Sequence, residues 1–496
     1  MIELLISLSS ITIIIGAIIL MLITLYKPIS IAHKNLLAIT TLSISLLLEM
    51  IILFNIDNSI YLYPNILNKF FIVDKFSIIF DLMFLGGAIF TLAINNRYFI
   101  NRDYYNGEFF SLILFSLFGM MMLSHSNELI SAFISLEVAS ISIYTLVGYK
   151  NGDIKSSEAM LKYIILGALA SSFFILGTAL IYGVVGSTLF GDIYQFIESN
   201  PTQNLSMIIV GLSFILITIL FKIGAVPFHW WVLDVYHGAP FPITMFMASI
   251  FKIALFSILL RLYLVDFSHF YNIFSPMLIS IAIITLLGGS LLAISQTNLK
   301  RMLAGSAIVH SGYLLMALSS IKSDNQEASL AIMFYLVSYL ISAVGAFGIL
   351  SFVASHRKRK LTFEEFKGFA HQRPYLGAMM SIFMLSLAGF PSTIGFLGKF
   401  YIFMSVIQSG NIALAGFGII IAFISVYYYF KLIALMYFYP SPHPKEGYQF
   451  GITTIFISLL AIATIWGGMG TKLISFLPSG DILLEIAREA LIQIGV

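Results

Sequence analysis

Cysteine is absent from all 496 positions. That excludes disulfides, thiolate-bound iron–sulfur clusters and Cys-ligated zinc. Charge is scarce too: 10% of residues are Asp, Glu, Lys or Arg, against roughly a quarter in soluble domains. A net charge of +3 is too small to suggest nucleic acid as a partner. No nucleotide-binding glycine loop, haem or metal ligand spacing, or nucleophile–base arrangement is present. The chain therefore has no energy source of its own and is either a gradient-driven exchanger or a subunit driven by a redox partner.

What is abundant is apolar sequence. Hydrophobic residues make up 59% of the chain, and the mean hydropathy is +0.98, which reads as an integral membrane protein. The first apolar stretch, Leu4 to Tyr26, has no basic segment before it and no small-residue cleavage site after it, so it reads as a first transmembrane helix. With about 20 apolar residues per crossing, fourteen segments emerge: 3–26, 35–54, 74–95, 108–124, 128–149, 158–185, 205–235, 241–265, 272–295, 301–320, 327–354, 375–408, 411–439 and 450–470. The seventh and twelfth are too long and contain glycine and proline. Each is expected to be two half-helices, broken at Gly224 to Pro227 and at Gly389 to Pro391. The fold class is thus all-α, and the amphipathic stretch Asp481 to Val496 is expected at the surface.

Basic residues orient the spans. With loops numbered alternately, fifteen of the 26 Lys and Arg fall on one side, five on the other, and six within spans. This bias supports fourteen helices and places both termini outside the cytoplasm. A faint repeat is also visible. Asn127-Glu128-Leu129 corresponds to Thr297-Asn298-Leu299, Glu158-Ala159 to Glu327-Ala328, and Pro227 to Pro391. Five helices per copy is an odd number, so the second copy is inverted, the pattern of transporters with broken helices at the midplane. The resulting organisation is three N-terminal helices (1–107), a first five-helix repeat (108–265), a second, inverted one (266–440), and a last helix with its tail (441–496).

Within these spans stand Glu137, Lys162, Lys222, Lys252, His310 and Lys399. An ionised group at membrane depth costs at least about 2.5–3.5 kcal/mol, so several in one chain mark an ion path. A row of lysines repels metal cations, whereas a Glu–Lys pair beside lysines and a histidine suits H+. Lys162 stands four residues after Glu158, about one turn into its helix. Arg261 and Lys431 are read as snorkelling or structural, and Asp74 and Asp81 as structural contacts. His229 and His237 fit an interfacial role or proton uptake equally well.

Specific runs now resemble a known family. They are Lys222-Ile223-Gly224-Ala225-Val226-Pro227-Phe228-His229-Trp230, Asp234-Val235-Tyr236-His237-Gly238-Ala239-Pro240, Ser157-Glu158-Ala159 with Lys162-Tyr163, Leu299 to Ala304 followed by His310-Ser311-Gly312-Tyr313, and Leu387-Ala388-Gly389-Phe390-Pro391 leading to Gly398-Lys399-Phe400. Over essentially the whole chain they resemble the antiporter-like membrane subunits of respiratory complex I, the NADH–quinone oxidoreductase. The Asp234 to Pro240 form is similar to subunit N rather than to subunits L and M or the multisubunit sodium/proton antiporters. Leu233 stands where the family usually has proline and His237 where it usually has glutamate, which weakens the case for a proton-uptake role of that loop.

The resemblance implies an H+-translocating, non-redox subunit without a cofactor, with FMN, iron–sulfur clusters and quinone in partner subunits. It implies subunits M and K as neighbours in a lipid bilayer. By the same resemblance Glu137 is the fifth-helix glutamate, Lys222 the lysine at the seventh-helix break, and Lys162 the additional sixth-helix lysine. Lys252 connects the half-channels, His310 is the tenth-helix histidine, and Lys399 faces the exit. Fourteen helices, unlike the shortened animal mitochondrial version, point to a bacterial inner membrane with periplasmic termini. Two alternatives remain open: the equivalent subunit of a related redox complex (membrane-bound hydrogenase, ferredoxin or F420H2 dehydrogenase) and a multisubunit cation/proton antiporter.

Overall fold

The computed structural model describes residues 2–492 apart from 27–28, 56–60, 63–68, 103, 201–204, 322–326, 357–360, 442–450 and 470–479. Of the basic residues used for orientation, Lys27, Lys322, Arg357, Lys358, Arg359, Lys360, Lys445 and Lys472 lie outside the described residues, as do 493–496 of the tail.

Among the described residues, twelve helices are long and apolar enough to cross a membrane. The first eleven spans are Ile2–Tyr26, Ile31–Asn55, Lys75–Ile94, Gly107–His125, Leu129–Val147, Ile154–Val185, Leu205–Ile223, Phe241–Val265, Tyr271–Ser295, Leu299–Leu318 and Glu327–His356, and the thirteenth is Ile412–Phe438. The twelfth is the pair Pro374–Ala388 and Ile394–Gln408, and the fourteenth is Ile452–Trp466, each piece 15 residues long. The expected all-α, fourteen-segment architecture is the one observed.

Two of the differences from the expected boundaries bear on the site. The seventh helix stops at Ile223 instead of running to 235, and gives way to a turn and a seven-residue helix, Val232–Gly238. Proline has no N–H for the ladder, and Pro227 and Pro240 bracket this segment, so no second half of full length forms. The sixth helix begins at Ile154, capped by the Asp153 side chain accepting from Lys155 N, so Lys162 lies two turns inside rather than one. An antiparallel ribbon of Tyr61–Leu62 with Ile72–Val73 and an amphipathic helix at Phe190–Ser199 were not foreseen.

In lipid the hydrophobic effect no longer drives helix against helix; close packing and hydrogen bonds do. Gly177 and Gly211 illustrate this between the sixth and seventh helices. A Cβ on Gly177 would stand 2.5 Å from Gly211 O, so only glycine permits that approach. The layering is inside-out relative to a soluble protein. The eighth helix is 100% buried over its most apolar window and the tenth 94%, whereas the second is 28% and the thirteenth 33%. The eighth and tenth helices, which carry Lys252 and His310, therefore stand at the centre, and the second and thirteenth at the rim.

The internal repeat appears in the backbone. Leu129 N donates to Thr188 O at 3.0 Å and Phe190 N to Asn127 O at 3.1 Å. In the second copy Leu299 N donates to Leu361 O at 2.9 Å and Phe363 N to Thr297 O at 3.2 Å. Each copy thus ties the start of one helix to the segment after the next. The tail helix Gly480–Ile492 packs on the third and eleventh helices, held by Lys75–Glu489 at 3.0 Å and Arg488–Glu327 at 3.3 Å.

Candidate functional site

Both breaks use one device. Gly224 and Gly389 adopt left-handed φ values of 74° and 85°, which an L side chain disfavours. Around them Gly224 N bonds Phe221 O and Ala225 N bonds Leu220 O, while Gly389 N bonds Ser386 O and Phe390 N bonds Leu385 O. These are Schellman turns, which satisfy the last carbonyls of a helix while ending it. At the first break Phe221 O takes a second donor and Ile223 O finds one in a side chain, as buried backbone in a membrane must. Trp231 Nε1 donates to Phe221 O at 3.0 Å, and Ser311 Oγ to Ile223 O at 3.1 Å.

Lys222, the penultimate residue before the first break, points at the fifth helix. Its Nζ lies 3.2 Å from Glu137 Oε1 and donates to Ser140 Oγ at 2.7 Å. Glu137 also accepts from Ser171 Oγ at 2.5 Å. The lysine side chain is 1% exposed and the glutamate 21%, so the pair straddles the inner wall and the outer face of the fifth helix.

From there a polar string runs across the molecule. Ser311, bonded to Ile223 O, also donates to Ala307 O at 3.2 Å, and Lys252 Nζ donates to the same carbonyl. Lys252 follows directly on a π-turn, Met247–Phe251, a feature that widens a helix locally and often accompanies functional sites. Its ammonium lies 5.8 Å from the Tyr339 ring, whose centroid is 4.7 Å from that of His310. His310 bonds Tyr335 Oη at 2.5 Å through Nδ1 and Tyr429 Oη at 3.2 Å through Nε2, and Tyr429 also bonds Ser306.

A cavity of about 10 Å³, room for one water, separates His310 from Lys399, with Ser338, Ser342 and Ser386 on its walls. Lys399 Nζ donates to Leu387 O and Ala388 O, both at 2.9 Å, the carbonyl end of the half-helix before the second break. A cation is favoured there by the helix dipole.

Lys162 stands apart. Its partners are Glu158 Oε1 at 2.6 Å and Asp234 Oδ2 at 3.0 Å, and Asp234 also binds Arg301 at 3.1 Å. Lys300 donates to Ala239 O at 2.5 Å. The conspicuous Asp234 to Pro240 run is therefore clamped by Lys162, Lys300 and Arg301. An aromatic stack of Tyr144, Tyr163 and Trp231, with centroids 4.6 Å apart at each step, connects this clamp to Lys222, whose Nζ is 5.9 Å from the Tyr144 ring. Of the remaining charges, Arg261 forms a two-pronged bond with Asp74, 3.0 Å on each arm, and Lys431 lies 4.7 Å from the Phe363 ring. Among the described residues no group of three His, Asp or Glu is placed to hold a metal.

Residues 126–425, more than half the chain, match the family model described as the NADH:quinone oxidoreductase/Mrp antiporter transmembrane family. The chain belongs to this family. A relative in Trichlorobacter lovleyi, NADH-quinone oxidoreductase subunit N, is 37% identical over 84% of each chain. Among solved structures, a chain of respiratory complex I from Thermus thermophilus superposes with a TM-score of 0.76 at 26% identity, covering 93% of this chain and 97% of that one. A chain of the membrane-bound sulfane sulfur reductase, an archaeal respiratory membrane complex, reaches 0.87 at 22% identity over 99% and 98%, a likeness of fold.

Within the family frame, the structure brings Glu137 and Lys222 into contact, gathers Lys252, His310 and Lys399 along one string, and leaves Lys162 in a separate network. Nothing in the sequence marks Ser140, Ser171, Tyr335, Tyr339 or Tyr429, and Ser311 stands out only as a neighbour of His310 in a quoted motif. Hydroxyls on apolar helices carry no spacing signal. Asp234 and Arg301 stood in the quoted motifs, but nothing in their order linked residues 67 apart.

Proposed function

We propose that this chain is the proton-translocating membrane subunit of a bacterial NADH–quinone oxidoreductase and takes no part in the redox chemistry itself. The observation that carries this is the row of buried polar groups from the Glu137–Lys222 pair by way of Lys252 and His310 to Lys399, in a family whose relatives are named subunit N. FMN, iron–sulfur clusters and quinone then reside in partner subunits, and the two five-helix repeats (108–265 and 266–440) act as the two half-channels.

In this reading a charge or conformational change arriving along the membrane arm displaces Glu137 from Lys222. Lys222 then changes its hold on its proton. The proton passes through Ser311, Lys252 and His310 to the water-sized cavity, and Lys399 releases it on the far side. The Lys162–Asp234–Arg301 clamp stands apart from this string and fixes the loop after the first break. Moving one charge against 100 mV requires about 2.3 kcal/mol, within reach of a broken buried ion pair. Subunits M and K as neighbours and periplasmic termini complete the reading. A partner against the fifth helix suits Glu137, whose 21% exposure to lipid alone would be unfavourable.

The test is NADH-driven proton uptake by inside-out membrane vesicles carrying Lys222→Ala in an otherwise intact complex. Pumping and NADH–quinone activity should collapse together. An unchanged proton-to-electron ratio in the mutant defeats the proposal. If NADH drives nothing even with Lys222 intact while a sodium gradient drives proton exchange, an antiporter takes its place.

A further inference from the structure

Away from the lysine string, the N-terminal helices bury a second group of titratable side chains. Glu49 of the second helix is 2% exposed, and His125, at the end of the fourth, and Asp81 of the third are 1% and 0%. Asp81 Oδ2 lies 2.8 Å from His125 Nε2, and Asp81 Oδ1 accepts from Ser124 Oγ at 2.9 Å. Ser9 of the first helix donates to Glu49 Oε1. Glu49 and Asp81 are within electrostatic range of each other.

The charges do not balance. His125 supplies at most one positive charge, and Asp81 is beside it. Arg261, from the eighth helix, is engaged on both arms by Asp74. Lys75, at the start of the third helix, pairs with Glu489. Among the described residues Glu49 thus faces Ser9 from the first helix and Asp81 from the third, with His125 of the fourth helix on the far side of that pairing against Asp81, and no salt bridge reaches Glu49. Independently of this count, Glu49 Oε2 is buried and has no hydrogen-bond partner among the described residues. A buried, unpaired carboxylate is several kcal/mol uphill, and a carboxyl in that position takes up a proton instead.

We propose that Glu49, Asp81 and His125 form a proton-binding site in which Glu49 holds one exchangeable proton beside the Asp81–His125 pair. The ligand is H+ itself: binding forms the O–H bond at Glu49 Oε2, and release returns the carboxylate and a proton to water. Glu49 lies six residues from the end of its helix and Asp81 six from the start of the next, about 9 Å inside by helical rise. A proton there has a short way to the same end of the bundle. Glu49 and Asp81 lie in the three N-terminal helices, outside the two repeats, and His125 ends the first helix of the first repeat.

The experiment is infrared spectroscopy of the carboxyl C=O stretch on the assembled complex in its membrane, in H2O and in D2O. It reads protonation whether or not the chain pumps, so its outcome is separate from that of the proposed function. The native complex should show a protonated-carboxyl band that shifts in D2O and is lost in Glu49→Gln. In Asp81→Asn the band should move, because its neighbour has changed. Identical native and Glu49→Gln spectra would mean an ionised Glu49 and overturn the site; so would a band that never shifts in D2O. If Glu49→Gln does not assemble, Glu49→Asp serves in its place: a displaced band supports the site and an unchanged spectrum refutes it.

Discussion

Consider replacing Glu137 by Gln, Lys222 by Met, and both together. At 3.2 Å and an effective dielectric near 20, two unit charges attract by about 5 kcal/mol. The glutamate side chain is 21% exposed, so water or a neighbour screens it, and about 2–3 kcal/mol of coupling is the working figure. That is comparable to the roughly 2.3 kcal/mol needed to move a charge against 100 mV, so the pair is strong enough to hold a proton and weak enough to be switched. With about 1.4 kcal/mol per tenfold, either single substitution should reduce coupled turnover about 30- to 100-fold. The double mutant should be no worse than Lys222→Met, since the interaction is already gone. The assay is NADH–quinone turnover and proton uptake in inside-out vesicles, each normalised to assembled complex. If the two losses multiply in the double mutant, the residues act independently and the ion pair is not the switch.

Gly389→Ala forces a side chain into φ 85° and sets its Cβ 2.8 Å from Lys399 Cδ. About 1–3 kcal/mol of stability should be lost, read as a lower thermal midpoint, with pumping impaired because Lys399 is pushed off its carbonyls. Ser311→Ala removes the hydroxyl between Ile223 O and Ala307 O; assembly should be normal while proton uptake slows, as checked by native gel and vesicle pumping. Lys162→Ala removes ion pairs whose partners are about half exposed, so unfolding should shift by no more than about 1 kcal/mol. Burial, together with Lys300, Arg301 and Lys155, pushes His237 down to about 4. Its neutral form is favoured in the fold, so that support is lost as pH falls from about 6.5 toward 4. His237→Gln should leave the pH–activity profile above about pH 6 unchanged and make the protein less acid-sensitive below it.

How far the sequence went can be judged residue by residue. Glu137, Lys222, Lys252 and Lys399 were legible because charge in a bilayer is costly enough to stand out among apolar neighbours. The breaks were legible because glycine and proline punctuate helices. Pairings were not: Asp74 reads as a structural contact and Arg261 as snorkelling or structurally paired, but nothing in the sequence joins two residues 187 apart to each other. Lys162, only about one turn inside by the sequence, joins the candidates through Glu158 four residues before it and through the resemblance; that its helix face also meets Asp234 is not legible in the sequence. Glu49 escaped notice altogether, although it is an acid in a span. With Glu137, Lys162, Lys222, Lys252, His310 and Lys399 all falling on the two repeats, nothing in the sequence ties it to Asp81 and His125.

The two breaks share one backbone geometry but place their lysines on opposite sides of it, and this asymmetry bears on direction. Lys222 precedes its glycine, and its counter-charge is a carboxylate on another helix, partly open to the outer face. Lys399 comes after its glycine, and its partners are two carbonyls that end the half-helix before the break. A side chain can be drawn away by a new charge beside it, whereas helix-end carbonyls stay where the Schellman turn fixes them. In the proposed path, then, the first break is where an arriving signal acts, and the second responds only to the proton itself. A charge introduced beside Glu137, such as Ile134→Lys on the exposed face one turn away, should uncouple pumping. A similarly exposed change near Lys399, Phe400→Lys, should leave the coupling intact. Equal losses in the two variants would remove the distinction.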